Sequence, residues 1–212
     1  MSVNLQKGQK IDLTKRDGGR LTRLMVGLGW DPAQQQAQQG FSLFRRTQAV
    51  QDIDCDASVI LCGANGRIVS DNMNECCCYF NNLNYRNGAI VHSADDRTGG
   101  NSADGDDEMI YINLPQIPSN VDKMVFVVNI YDANVRGQHF GMVRNAYCRI
   151  VDMDTNTEIC KFNLSDNYYG MTGLVVGEIY RRNGEWKFNA IGQPVKEASR
   201  LGSMINLYKR EG

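Results

Sequence analysis

Between His92 and Glu108 the chain reads HSADDRTGGNSADGDDE. Six of these seventeen residues, Asp95, Asp96, Asp104, Asp106, Asp107 and Glu108, are carboxylates, answered by no lysine and by one arginine, Arg97. Two carboxylates about 5 Å apart repel by roughly 1 kcal/mol in water, and by several times that where water is partly excluded. Gathering four or more therefore costs on the order of several kcal/mol. A divalent cation among them turns the cost into a gain, and hard oxygen donors suit calcium or magnesium. Taken alone, such a Gly/Asn/Ser-rich stretch also reads as a solvated turn. Its position argues for the ion: apolar runs lead in through Ile90 and Val91 and out through Met109, Ile110 and Ile112, so strands hold both ends. The helix-loop-helix calcium pattern does not apply, because counting from Asp95 puts Arg97 and Gly99 at the second and third ligand positions.

Other oxygen donors fall at neighbouring strand ends. Asp52, Asp54 and Asp56 alternate, so they share one face of an entering strand. Asp71, Asn72, Asn81 and Asn82 lie near other turns, where each by itself reads as a side chain capping its own turn. In a two-layer β structure alternate turns gather at the same end, and together these groups can supply the six to eight oxygens that calcium takes.

The elements that must position them are mostly strands. Val3, Leu5, Ile11 and Leu13 predict two edge strands about a turn at Gly8, and LTRLMVGLGWDP predicts a strand ending at Trp30, Asp31 and Pro32. Its GLG lacks the third glycine of a dinucleotide fingerprint and is followed by Pro32, so it is not a phosphate loop. AQQQAQQG at 33–40 is a glutamine-rich excursion. DCDASVILCGANGRIVSD predicts a strand, an Asn65-Gly66 turn and a returning strand. Residues 76–80 predict a further strand, and Asn87-Gly88 a hairpin. KMVFVVNIYDA is the most apolar run and belongs in the centre of a sheet. Residues 146–152 and 159–164 alternate across a DTNT turn. GLVVGEIYRRNGEWKFNAIG predicts a hairpin about Asn183-Gly184, with Trp186, Phe188 and Ala190 on one face. Only 196–208 has helical spacing, through Ala198, Leu201, Ile205 and Tyr208, with Gly202 weakening it. The expected fold is all-β, an antiparallel β-sandwich with a short C-terminal helix, in a single domain over 1–212.

At 212 residues with a net charge of -1, the chain has no basic stripe with which to displace counterions, which argues against nucleic acid as a partner. No apolar run has transmembrane length and no signal-peptide pattern opens the chain, so a cytoplasmic location is expected. Seven cysteines cannot all pair, and no C-x-x-C spacing suggests zinc. Buried, reduced thiols are expected, with the contiguous Cys76, Cys77 and Cys78 facing alternate ways along a strand.

The segments VNLQKGQKIDL, VGLGWD, DIDCDAS, YFNNL, IVHSADDRTGG, DGDDEMI, VFVVNIYDA, QHFGMVRN, IVD and GEIYRRNGEWKF, in this order over nearly the whole chain, resemble the TerD-like tellurium-resistance and stress proteins. The resemblance implies a cytoplasmic, non-enzymatic, calcium-binding β-sandwich associated with tellurite and other chemical or phage stress. It carries the acidic calcium motif onto Asp54, Asp56, Asp95, Asp96, Asp104, Asp106, Asp107 and Glu108. Asp31, within VGLGWD, together with Asp71, Asn72, Asn81, Asn82 and Ser93, forms a second rank of donors for one or two calcium ions. Two positions depart from the family's pattern: Ala94 stands where glycine is common, and Asp96 where asparagine is. The expected partner is a protein in a stress-response complex, at a membrane or away from one. Two other functions compete. His92 beside the acids could act as a general base in a metal-dependent phosphoesterase. An open calcium site could also bridge to anionic lipid headgroups. No catalytic residue and no organic cofactor are expected.

Overall fold

The most apolar run forms an interior strand because both of its faces are covered. The computed structural model describes residues 2–15, 18–32, 53–93, 105–164, 166 and 168–209. In chain order its elements are β1 (Val3–Leu5), β2 (Lys10–Asp12), β3 (Arg23–Pro32), β4 (Cys55–Cys62), α1 (Met73–Cys76), β5 (Cys77–Cys78), β6 (Asn84–Tyr85), β7 (Ile90–His92), β8 (Glu108–Asn113), β9 (Lys123–Ile130), α2 (Ala133–Arg136), β10 (Val143–Asp152), β11 (Thr157–Asn163), β12 (Gly173–Arg182), β13 (Glu185–Val195) and α3 (Leu201–Asn206). Two sheets result, a seven-stranded one ordered β1-β11-β10-β3-β8-β7-β6 and a six-stranded one ordered β2-β13-β12-β9-β4-β5. In β9, Met124, Phe126, Val128 and Ile130 enter the core between the sheets, while Val125 and Val127 lie on the outer face with Leu201, Met204 and Ile205 of α3. A strand buried on both sides needs no alternation, which is why the segment reads as continuous apolar sequence.

The mostly β, two-sheet fold expected from the sequence is the one observed. The β12–β13 hairpin turns at Asn183 and Gly184, both at positive φ (55° and 77°), with Arg182 opposite Glu185. That is the two-residue turn whose twist suits paired strands, and Asn-Gly tolerates it best. The opening strands are edge strands, but on different sheets: β2 joins β13, and β1 joins β11 in a parallel pairing, while the pairings within both sheets are otherwise antiparallel. Three expectations are corrected. No strand returns after the Asn65-Gly66 turn, where Ile68 makes only an isolated bridge to Cys62. Residues 76–80 are not one strand, because Asn72 caps α1 by accepting from the Asn74 N–H and the chain becomes extended only at Cys77. The C-terminal helix is confined to Leu201–Asn206; Thr172 holds the segment ahead of it, accepting from the Ala198 N–H and donating to the Lys196 carbonyl. The glutamine-rich segment and Asp52 lie outside the described residues.

All seven cysteines are buried and none is in a disulfide. No helix among the described residues is long and apolar enough to cross a membrane.

At the end of the sandwich away from the acidic stretch, the β10–β11 turn is tied to the chain ahead of β3 by Asp154. Its carboxylate accepts from the Thr22 hydroxyl, from Arg23 Nε at 2.8 Å and from Lys15 at 3.3 Å. These bonds, the Thr22 hydroxyl first, hold its pKa down from 3.8 to about 2. A carboxylate depressed in the folded state stabilises above its unfolded pKa and loses that contribution as pH falls through its folded value. Melting curves of the wild type and of Asp154→Asn are therefore expected to differ at pH 5 and to converge as pH is lowered toward 2. A gap that stays constant down to pH 2 would assign no ionic role to this residue.

Candidate metal centre

One end of the sandwich, the rim where β3, β7 and β9 finish and β4 and β8 begin, collects most of those acids singled out in the sequence that lie among the described residues. The acidic stretch leaves it after Ser93 and returns to it at Gly105. Both ends are held there: Ser93 exchanges bonds with Met109, its N–H donating to the Met109 carbonyl at 2.7 Å and its hydroxyl accepting from the Met109 N–H at 2.9 Å. Asp95, Asp96 and Asp104 lie outside the described residues.

Each of the three acids that close the stretch points to a different place, because Asp106 and Asp107 lie in a bend ahead of β8 and only Glu108 is in the strand. Asp106 is fully buried on the outer face of the seven-stranded sheet. It accepts from Arg149 Nε at 2.9 and 3.0 Å, from Arg149 Nη2 at 2.7 Å and from the Tyr147 hydroxyl at 2.8 Å. Such a forked pair is the geometry that guanidinium and carboxylate share. The Tyr147 hydroxyl is pushed above its ordinary range by burial first and then by its bond to Asp106. Asp107 accepts from the Trp30 N–H at 2.6 Å and is 5% exposed. Glu108 reaches between the sheets and accepts from the Ala57 N–H at 2.7 Å.

The glycines of VGLGWD make this packing possible. A Cβ on Gly27 would stand 2.4 Å from the Asp106 carboxylate, and one on Gly29 would stand 2.6 Å from the Gly105 carbonyl oxygen and 2.5 Å from the Tyr147 ring. The GLG is thus a cradle for the returning acidic stretch. Gly27→Ala must push Asp106 off Arg149, and overpacking of this kind costs about 1–3 kcal/mol. Urea unfolding of that variant checks the expectation, and a loss well under this range would mean the carboxylate has room to retreat.

From the facing sheet come Asp54 and Asp56. Asp54 precedes β4 and stands 3.5 Å from Arg136 of α2. Asp56 is 8% exposed and opposite Asn129 in the β4–β9 register. The Asn129 amide nitrogen lies 3.5 Å from the Asp56 carboxylate, and its amide oxygen, buried, has no hydrogen-bond partner among the described residues. Four of these acids act on one thiol. Cys55 is raised well above the ordinary thiol range by burial first, and then by the charges of Glu108, Asp56, Asp54 and Asp107 in that order.

Of the second-rank donors Ser93 stays at the rim, bonded to Met109, and the others have partners or places of their own. Asp31 is exposed and accepts from Asn145 at 2.7 Å. Asn72 caps α1, and Asn82 donates to the Asn74 and Cys77 carbonyls at 3.0 and 2.8 Å. Asp71 lines a cleft between α1 and α3, and Asn81 is exposed. Among the described residues no three His, Cys, Asp or Glu side chains are close enough together to hold a metal ion. Sequence reasoning passed over Asn129 and Arg149. The signal for Asn129 was one amide in an otherwise apolar strand; for Arg149 it was a cation alternating with Tyr147 on the strand facing VGLGWD.

Both histidines are occupied. His92, 3% exposed, has Nδ1 at 2.6 Å from the Ser93 carbonyl and Nε2 at 3.0 Å from the Ala57 carbonyl, with Glu108 at 3.5 Å. His139 accepts from the Gly141 N–H at 3.1 Å and meets the Tyr169 ring edgewise at 4.4 Å.

Residues 1–208 match the TerD domain. Over 208 residues, 98% of this chain and 100% of the relative, the sequence is 47% identical to stress response protein SCP2 of Bacillus subtilis (strain 168). The chain belongs to the TerD family. It is also 40% identical to the tellurium resistance protein TerD of Serratia marcescens over 193 residues, 91% of each chain. Among solved structures, a protein of unknown function, SAV2460, superposes with a TM-score of 0.63 at 19% identity over 90% of this chain and 99% of its own. A homologue of telluride resistance protein (TerD), SCO6318 from Streptomyces coelicolor A3(2), does so with a TM-score of 0.57 at 21% identity over 84% and 92%. At those identities the likeness speaks for the fold alone. The chain is thus a member of a family whose relatives are named for stress response and tellurium resistance, and the VGLGWD cradle and acidic rim are how this member builds one end of its sandwich.

Proposed function

We propose that this TerD-family protein binds calcium at the acidic rim, without catalysis, and uses the bound state to recruit a partner under stress. The observation that carries the reading is that Glu108 of the seven-stranded sheet reaches the Ala57 N–H at the start of β4, where Asp56 stands opposite Asn129, whose buried amide oxygen has no hydrogen-bond partner among the described residues. A hard cation is what such oxygens fit. In this reading no three of the described acids hold the ion by themselves: Asp56, Asp107, Glu108 and Asn129 border it, with Asp54 at the margin, and the ligands that would complete the shell are Asp95, Asp96 and Asp104 of the segment whose two ends the rim holds. Asp106 is a positioning residue: its oxygens are taken by Arg149 and Tyr147, and it fixes where Asp107 and Glu108 emerge. When bound, calcium supplies positive charge that offsets the mutual repulsion of the acids.

His92 bears on the enzymatic alternative. Each ring nitrogen faces a backbone carbonyl and the side chain is 3% exposed, so no substrate proton reaches it. For recruitment, the support is an apolar fringe beside the rim, where Val135 is 87% exposed and Tyr169 73%. A protein partner in a stress-response complex is the occupant we assign, and the cytoplasm, where seven unpaired cysteines persist, is the compartment. Thermal melts of the chelator-treated chain test the ion: calcium is expected to raise the midpoint and equimolar magnesium to raise it less. Identical melts with and without calcium would reject the reading.

A further inference from the structure

The outer face of the six-stranded sheet carries a second group of chemically able side chains, independent of the rim. Adjacent residues of a strand point to opposite faces, but Cys76 ends α1 and Cys77 begins β5 with extended backbone (φ -141°, ψ 145°). The change of conformation between them turns both side chains to the same side. Both join the outer-face cluster with Cys62, and their sulfurs stand 3.7 Å apart. Cys78, one residue on, alternates back into the core between the sheets, where its thiol meets the Ile90 carbonyl at 3.9 Å. So Cys76 and Cys77 share one face and Cys78 takes the other, where the alternation of a strand would have paired Cys76 with Cys78.

The pair has an approach. A cleft of about 400 Å³ between α1 and α3 is lined by Cys76 together with Asp71, Met73, Arg200, Ser203 and Lys209. The contact with Cys77 holds the Cys76 thiol below its ordinary range and, with burial, pushes Cys77 up. The thiolate, which is the nucleophile and the soft ligand, therefore forms on the member that borders the cleft. Among the described residues no third His, Cys, Asp or Glu completes a metal cage, which leaves a two-sulfur chelate.

We propose that Cys76 and Cys77 form a vicinal dithiol site for a trivalent metalloid hydroxide of the arsenous acid class, admitted through the α1–α3 cleft. Two sulfurs from neighbouring residues suit a pyramidal centre that shares its bonds between them, and thiolates select soft centres. In the step each S–H proton leaves with a metalloid hydroxyl as water. Two S–H and two metalloid–O bonds break, two metalloid–S and two O–H bonds form, and no oxidation state changes.

The test uses the full chain, reduced with a phosphine and freed of metals by a chelator, with phenylarsine oxide as the probe, since its hydrate offers two exchangeable hydroxyls. Intact-mass measurement under native conditions is expected to find one arsenical per chain, retained on gel filtration and removed by a dithiol but not by a monothiol. Alkylation after quenching should find Cys76 and Cys77 protected together. Cys76→Ser and Cys77→Ser should each lose the adduct, and Cys78→Ser and Cys62→Ser should keep it. Protection mapped on the wild type carries the assignment should a serine variant fail to fold. No adduct on the native chain, uptake only in denaturant, or protection of the other neighbouring thiols, Cys148 and Cys160, would overturn the proposal without touching the calcium reading.

Discussion

Asp106→Ala is expected to cost about 3–5 kcal/mol of folding stability, the range for removing one partner of a buried, hydrogen-bonded ion pair. Asp106 is fully buried and the Arg149 side chain 20% exposed, so when Asp106 goes the guanidinium cannot turn fully to water and keeps only the longer pairing with Glu158, at 3.6 Å. The Arg149 guanidinium is held above even its usual range, chiefly by its bonds to Asp106. Tyr147 would lose one of its two acceptors and keep the Gly105 carbonyl at 2.6 Å. Gly27 and Gly29 would face the space left behind. Surface ion pairs contribute about 0–1 kcal/mol, so urea unfolding separates the cases: a loss under about 1 kcal/mol would mean that this pair is screened like any other at the surface. On the proposed reading, in which Asp106 positions the rim with its oxygens taken by Arg149 and Tyr147, folded Asp106→Asn is expected to keep a calcium-dependent rise in melting temperature.

Asp56→Asn should do the reverse. With free calcium a hundredfold above its dissociation constant, binding stabilises the folded chain by about 2.7 kcal/mol. For a chain of this size that corresponds to roughly 5–11 °C in melting temperature, at about 2–4 °C per kcal/mol. Asp56→Asn keeps the shape beside Asn129 and removes the charge. In chelator the variant should melt at or above the wild-type temperature, since one source of repulsion among the acids at the start of β4 is gone. In calcium it should lose most of the rise. Asp71→Asn, altered in the α1–α3 cleft, is the control and should keep the full rise. A full rise in Asp56→Asn would remove that residue from the site.

How far the sequence reached differs between fold and site. Strands and turns were legible wherever local chemistry decides: Asn183-Gly184 demands its turn, and the apolar continuity of β9 demands cover on both faces. The break at Cys76–Cys77 was not legible, because a four-residue helix capped by Asn72 is too short to leave a periodic signal. At the site the sequence found the acids but assigned them one role. Which carboxylate meets an arginine depends on strand pairing across long separations. Arg149 reaches Asp106 only because β10 and β8 both flank β3, and no local pattern around either residue carries that fact. The glycines of VGLGWD were likewise readable as not a phosphate loop, while their use as a cradle needed the neighbouring strands.

The most direct measurement is a calorimetric titration of calcium into the chelator-treated chain. The account predicts saturable heat at one or two ions per chain, weakened in Asp56→Asn and kept in Asp71→Asn. A folded wild-type chain that evolves no binding heat and takes up no calcium would contradict it.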